Sequence, residues 1–312
     1  MSNRLPVWQA SLLERHQLPE SYIDHALHWF MPLAEVLSAH QSGAGKPILV
    51  GINGTQGSGK TTLCDFLGTA LAEVCGCRVV NLSLDDFYLT RPERSRLAET
   101  VHPLFATRGV PGTHDMALLA QVLEALLTND RADIAVPIPL PIPVPRFNKA
   151  QDDRSPAAQW SQVGGPVDVV LLEGWCLGVR PQPDADLVEP INTLEKREDT
   201  DGTWRRYVNE RLRRDFLPLY DSVDQWVMLK APSFEHVLQW RSEQEAKLAR
   251  RHAANTPGHI MDAAQLARFV QFYERLTRWS LRDLPPAVHH LFELDAARNI
   301  TAYLQRPDGV TD

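Results

Sequence analysis

Gly54-Thr-Gln-Gly-Ser-Gly59-Lys60-Thr61 is the stretch on which the reading of this chain turns. It matches G-x-x-x-x-G-K-[ST], whose glycines let backbone N–H groups turn inward to face phosphate oxygens. Its surroundings suit that purpose. An apolar run at 48–52 precedes it and reads as a buried strand, and 61–75 reads as a helix. The start of that helix would add its positive dipole end to the same phosphates. Lys60 would reach the β- and γ-phosphates, and the Thr61 hydroxyl would ligate Mg2+. We therefore expect ATP to be held by Gly54, Thr55, Gln56, Gly57, Ser58, Gly59, Lys60, Thr61 and Thr62.

Working outward, apolar runs at 79–84, 167–172, 225–230 and 290–294 read as further strands. Helical patterns lie between them, at 114–128, 233–251 and 262–280. The last opens with Asp262 and Gln265, a capping-box pair. Strands separated by helices predict an α/β fold with a doubly wound, mostly parallel sheet, to which N-terminal and C-terminal helices are added. Residues 6–40 read as helical. We expect residues 1–45 to form an N-terminal helical extension and 46–312 a single P-loop kinase core, with a lid region at about 200–220. Val136-Pro-Ile-Pro-Leu-Pro-Ile-Pro-Val-Pro145 cannot donate a regular ladder of hydrogen bonds and reads as a stiff extended connector.

In a doubly wound sheet, chemistry gathers at the carboxyl ends of the strands. The second strand ends in Asp85-Asp86-Phe87-Tyr88 and the third in Glu173-Gly174-Trp175. Both deliver carboxylates to the edge that carries the phosphate loop. A phosphoryl transferase needs two such groups, one for Mg2+ or its waters and one to orient the acceptor hydroxyl and accept its proton. The alternative for Asp85 and Asp86 is turn or capping chemistry.

The chain has 32 basic and 39 acidic residues and a net charge of -7, which argues against a coat for nucleic acid. No stretch approaches the roughly 18 consecutive apolar residues of a membrane span. The first residues show no apolar secretory region. Cys64, Cys75, Cys77 and Cys176 read as reduced thiols. The expectation is a cytoplasmic enzyme, a monomer or weak homodimer, with a small anionic hydroxy acid as substrate and neither nucleic acid nor membrane as partner.

The phosphate loop, Asp85-Asp-Phe-Tyr88 and Glu173-Gly resemble the uridine kinase, phosphoribulokinase and pantothenate kinase superfamily. Further segments narrow the likeness. These are Thr107-Arg-Gly-Val-Pro-Gly-Thr-His-Asp115, Pro145-Arg-Phe-Asn-Lys149, Leu172-Glu-Gly-Trp-Cys-Leu-Gly178, Tyr207-Val-Asn-Glu210 and Gln239-Trp-Arg241. Together they resemble the D-glycerate 3-kinase family, from roughly residue 48 to residue 300. The resemblance implies that Asp85 is the catalytic base and that Glu173, with Thr61 and Asp85, serves the Mg2+. It places Arg108, His114, Asp115, Arg146 and Lys149 in the acceptor pocket, with Asp86 and Tyr88 of the aspartate motif. A carboxylate-bearing acceptor suits an arginine fork. For Arg108 a structural ion pair is the rival role, and for His114 a capping or core role. Arg211, Arg213 and Arg214 lie where related kinases carry a lid, and Arg214 would join Lys60 and Asp85 in catalysis. Asn148 stands where the family usually has Asp, and the loop at Asp152-Asp-Arg154 is shorter than in the plant enzymes.

Three other readings compete. A GTPase would need Asn-Lys-x-Asp, which Asn148-Lys-Ala-Gln151 misses, and Asp199-Thr-Asp-Gly202 follows it in the wrong order. A non-catalytic ATP-binding switch protein would use the proline segment and the N-terminal helices. A kinase of the same fold could take a nucleoside, pantothenate or a sugar phosphate, but residues 102–115 offer no obvious aromatic platform for a base.

Overall fold

The computed structural model describes residues 5–128, 140–252 and 261–306. Three helices lead in: α1 (Val7–His16), α2 (Ser21–Trp29) and α3 (Met31–Ala44). Then come β1 (Ile48–Gly54), α4 (Lys60–Glu73), β2 (Val79–Ser83), α5 (Arg91–Thr100) and α6 (Met116–Thr128). Four short strands follow, β3 (Ile142–Val144), β4 (Phe147–Asn148), β5 (Asp153–Arg154) and β6 (Ser161–Val163). The chain returns through β7 (Val169–Gly174), α7 (Thr193–Glu198), α8 (Thr203–Arg211) and α9 (Leu217–Tyr220) to β8 (Gln225–Lys230). It closes with α10 (Phe234–His252), α11 (Ala263–Asp283), β9 (His290–Leu294) and β10 (Ile300–Gln305).

The central sheet has the order β10-β9-β8-β1-β7-β2. Every neighbouring pair is parallel except β9 with β10. β1 is buried along its whole length, as a parallel strand covered on both faces must be. Successive side chains sort the core into two clusters by their period of two. Leu49, Val170, Leu172 and Met228 join α6 and α8 on one face. Ile48, Val50, Ile52, Val169, Leu171 and Val227 join α4 on the other. Leu12, Ile23, Leu33 and Leu37 of the first three helices belong to that second cluster.

The fold is α/β with a mostly parallel sheet flanked by helices, as expected. The capping box on α11 forms: Gln265 N–H donates to Asp262 Oδ1 at 2.8 Å and Asp262 N–H to Gln265 Oε1 at 3.0 Å. The third strand begins two residues later than read, because Asp168 is taken by Arg78, whose backbone N–H lies 2.7 Å from Asp168 Oδ2. Of the proline run, the residues before Leu140 lie outside the described ones. Beyond them, Ile142–Val144 is not a free connector but a strand, paired antiparallel with Ser161–Val163 and carrying Pro143 opposite Gln162. A two-stranded ladder has a free edge on which proline is tolerated. Among the described residues no helix is long and apolar enough to cross a membrane.

The phosphate loop is braced by the C-terminal part of the chain. Gly57 sits at φ 79°, and a Cβ there would lie 2.8 Å from Trp240 Cβ. Arg298 Nε donates to Gly57 O at 3.0 Å, and its guanidinium lies over the Trp240 ring. Gly57→Ala should lower stability by about 1–2 kcal/mol from the left-handed backbone alone. Urea unfolding of the variant checks this, and an unchanged midpoint would contradict the bracing.

Candidate active site

A cavity of about 330 Å3 opens where the carboxyl ends of β1, β2 and β7 meet. The phosphate loop and the start of α4 supply Gln56, Gly57, Gly59, Lys60, Thr61 and Thr62. Asp85, Tyr88 and Glu173 come from the ends of the neighbouring strands, and Arg108 and Lys149 from loops. A wider depression of about 1130 Å3, bordered by Arg180, Tyr220, Trp226 and His289, shares no residue with it. The smaller cavity is the chemical one of the two, because it holds both the phosphate loop and the carboxylates.

Glu173 is almost fully buried. Its Oε1 accepts from Ser83 Oγ at 2.9 Å and from Thr61 Oγ1 at 3.2 Å. Its Oε2 has no hydrogen-bond partner, and the nearest cation, Lys60 Nζ, stands 3.8 Å away. A buried carboxylate oxygen left in that state is costly unless a ligand completes it. The donor set therefore fits Mg2+ or one of its waters, with the Thr61 hydroxyl beside it.

Asp85 sits on the short 3-10 turn that follows β2. Burial would raise its pKa. The positive charges of Lys149 and Lys60 and hydrogen bonds from Lys149 and Tyr88 outweigh burial and hold it at about 2. Lys149 Nζ lies 2.6 Å from Asp85 Oδ2, and Tyr88 donates its hydroxyl proton to Oδ1 at 2.9 Å. Burial and the Asp85 charge push the Tyr88 phenol well above its usual range, so it remains a donor.

The region around Arg108 and Lys149 is rich in paired charge. Arg108 is ion-paired with Asp152 and lies 5.3 Å over the Phe147 ring. Asp152 takes a left-handed backbone at φ 54°, and Arg94 pins it there, donating to its carbonyl at 2.6 Å and pairing with its carboxylate at 3.0 Å. Arg146 pairs with Asp86 at 2.8 Å, and Arg154 with Asp115 at 3.0 Å.

No family model matches the chain. A relative from Schizosaccharomyces pombe, the uncharacterized kinase mug58, is 32% identical over 249 residues, covering 78% of this chain and 85% of that one. The chain belongs to the same family of kinases as this relative. The chloroplastic D-glycerate 3-kinase of Arabidopsis thaliana is 32% identical over 205 residues, which span 64% of this chain and 41% of that protein. The solved D-glycerate 3-kinase of Cryptococcus neoformans superimposes with a TM-score of 0.72 at 26% identity, covering 88% of this chain and 97% of its own.

Within this kinase the residues singled out from the sequence divide into two groups. Lys60, Thr61, Thr62, Asp85, Tyr88, Arg108, Lys149 and Glu173 face one cavity. Asp86, His114, Asp115, Arg146 and Arg214, with Gly54, Thr55 and Ser58 of the phosphate loop, are not among the residues that line it. Asp86 accepts the Phe147 N–H at 3.0 Å and the Arg146 guanidinium, so the pair ties the β4 region to the aspartate turn. Asp115 accepts the Leu118 N–H at 3.0 Å in the first turn of α6. His114 is buried and stacked on Tyr88 at 4.5 Å. Burial lowers its pKa to about 4 against the pull of Asp85, so the ring is neutral at pH 7. Arg214 is exposed on a π-turn (Leu212–Phe216), where Arg211 pairs with Asp215 at 3.3 Å and Arg213 with Glu210 at 2.8 Å.

The arginine that does reach the cavity from a C-terminal helix is Arg241 of α10, whose guanidinium lies 5.5 Å over the Phe269 ring. Phe269, Tyr273 and Trp175 also line the space. Sequence reasoning gave no site role to these four, nor to Ser83. The available signal was the Gln239-Trp-Arg241 segment, noted for its likeness and not for its chemistry.

Replacing Lys149 by Met removes the nearest charge and one hydrogen bond from Asp85. Burial is then opposed by Lys60 and Tyr88 alone, and the Asp85 pKa rises from about 2 towards the ordinary carboxylate range of about 4. In wild type the group stays ionised down to pH about 2. The Asp85 limb in a pH profile of kcat/KM should therefore move upward in Lys149→Met, from about 2 towards about 4. Superimposable profiles would refute the coupling.

Proposed function

We propose that this chain transfers the γ-phosphoryl of ATP to a hydroxyl of a small hydroxy acid, D-glycerate giving 3-phosphoglycerate, as a cytoplasmic enzyme acting as a monomer or weak homodimer. One observation carries the reading. The cavity joins a phosphate loop at one side to an ionised aspartate and the cations Arg108, Lys149 and Arg241. Such a space suits two anions, a triphosphate and a carboxylate, with a hydroxyl held between them. The relatives named as D-glycerate 3-kinases support the choice of acid.

The chemistry follows from the positions. Lys60 and the loop amides hold the β- and γ-phosphates of ATP. Bound at Glu173 and Thr61, Mg2+ would neutralise charge on the phosphate oxygens. The acceptor hydroxyl approaches Asp85, and its oxygen forms the new bond to the γ-phosphorus as the bond to the β-γ bridging oxygen breaks. The hydroxyl proton passes to the Asp85 carboxylate, and ADP leaves. Asp85 is a weak base while two lysines face it. Its basicity rises as Lys60 turns to the phosphates and the acceptor separates Lys149 from it.

A nucleoside acceptor is the second reading, and one observation favours it. Residues 102–115 carry no base platform, but Trp175, Phe269 and Tyr273 bring aromatic surface to the cavity from elsewhere.

The test is ADP release by the purified protein with ATP and Mg2+ across D-glycerate, other hydroxy acids, glycerol, uridine and pantothenate. Turnover is expected with D-glycerate above the rest. Turnover with uridine alone would transfer the assignment to the second reading, and ADP release from no acceptor would end the kinase reading for this set. Asp85→Ala should cut kcat by about 100- to 10,000-fold with ATP affinity retained.

A further inference from the structure

The phosphate loop is approached from one direction that its own motif does not supply, the last turn of α1. His16 stands there between two side chains of α4. Its Nε2 is 2.7 Å from Asp65 Oδ2, and its Nδ1 is 3.4 Å from Thr62 Oγ1. Thr62 in turn lines the cavity beside Lys60 and Thr61. Asp65 is clamped from the same turn of α1 by Arg15, whose Nε and Nη2 lie 2.9 and 3.1 Å from its two oxygens. The imidazole is thereby fixed on one nitrogen, and its other nitrogen meets the hydroxyl.

The donor count gives this contact a consequence. A carboxylate only accepts, so Nε2 carries a hydrogen towards Asp65. In a neutral ring Nδ1 is then a lone pair that takes the Thr62 proton. In an imidazolium Nδ1 donates, and the Thr62 proton is free to turn into the cavity. Either way His16 decides where that hydroxyl points. α1 does not depend on this contact for its place: Leu12 and Leu13 are buried in the core, and Trp8 meets Phe66 edge-on at 5.8 Å.

We propose that His16 is a positioning residue for nucleotide binding, acting through Thr62 to orient a hydroxyl at the phosphate end of the cavity. The segment ahead of the kinase core thus takes part in holding the triphosphate. The inference rests on nucleotide binding by the phosphate loop and is independent of which acceptor is used.

Calorimetric titration of the full chain with ATP and Mg2+ tests it. A neutral ring holds the Thr62 proton away from the phosphates and an imidazolium leaves it to them, so His16→Ala should shift ATP affinity by roughly 2- to 10-fold in one direction or the other, the worth of one hydrogen bond. His16→Asn, whose amide overlays Nδ1, should restore most of the wild-type affinity. His16→Gln, which reaches Asp65 in place of Nε2, should not. In a Thr62→Val background His16→Ala should change nothing further. Unchanged ATP affinity in His16→Ala overturns the proposal, as does recovery by Gln in preference to Asn. So does a His16→Ala shift that persists in full beside Thr62→Val. If His16→Ala does not fold, the Asn and Gln variants decide alone, since each keeps one of the two contacts.

Discussion

A carboxylate withdrawn from water governs this structure. Glu173 lies at the end of a strand in the middle of the sheet, where a buried carboxylate is costly unless other groups reach it. Ser83 and Thr61 supply hydroxyls and Lys60 a charge, from two separate segments. Strand register makes this meeting possible, for Glu173 pairs with Ser83 on β2 and with Ile52 on β1. A slip of one residue in either ladder would turn the side chain to the opposite face. The oxygen left over, Oε2, is where the folded protein keeps unfinished electrostatics for a ligand.

Around Arg108 and Lys149 the same logic runs in reverse. Asp152 answers Arg108, Asp85 answers Lys149, Asp86 answers Arg146 and Asp115 answers Arg154. Of these cations Arg108 and Lys149 line the cavity, and unpaired they would repel one another there. Asp152 holds its unusual backbone because Arg94, itself buried, grips both its carbonyl and its carboxylate.

The cavity also depends on chain that is remote in sequence. Trp240 and Arg298 hold Gly57, Arg241 and Tyr273 close the far wall, and α1 reaches Thr62 through His16. The helices around the sheet thus do more than cover its faces. They carry the contacts that keep a glycine-rich loop, intrinsically free to move, in one conformation.

Much of this was legible in the order of residues alone. Short continuous apolar runs alternating with amphipathic helical segments read as strands covered on both faces, and the parallel sheet followed from them. The glycine spacing and the lysine of the phosphate loop are local requirements of a backbone that must bend around phosphate. Likewise the capping box of α11 needs only residues three apart. The partner of each charge was a matter for the tertiary structure. Arg241 rather than Arg214 faces the cavity, His114 stacks on Tyr88 away from it, and Ser83 joins Glu173 across 90 residues of chain. Whether a charged or polar side chain finds water, a core or a partner depends on what packs against it from far along the chain. No spacing within a segment carries that information, whereas a loop, a cap or a strand is specified by its own neighbours.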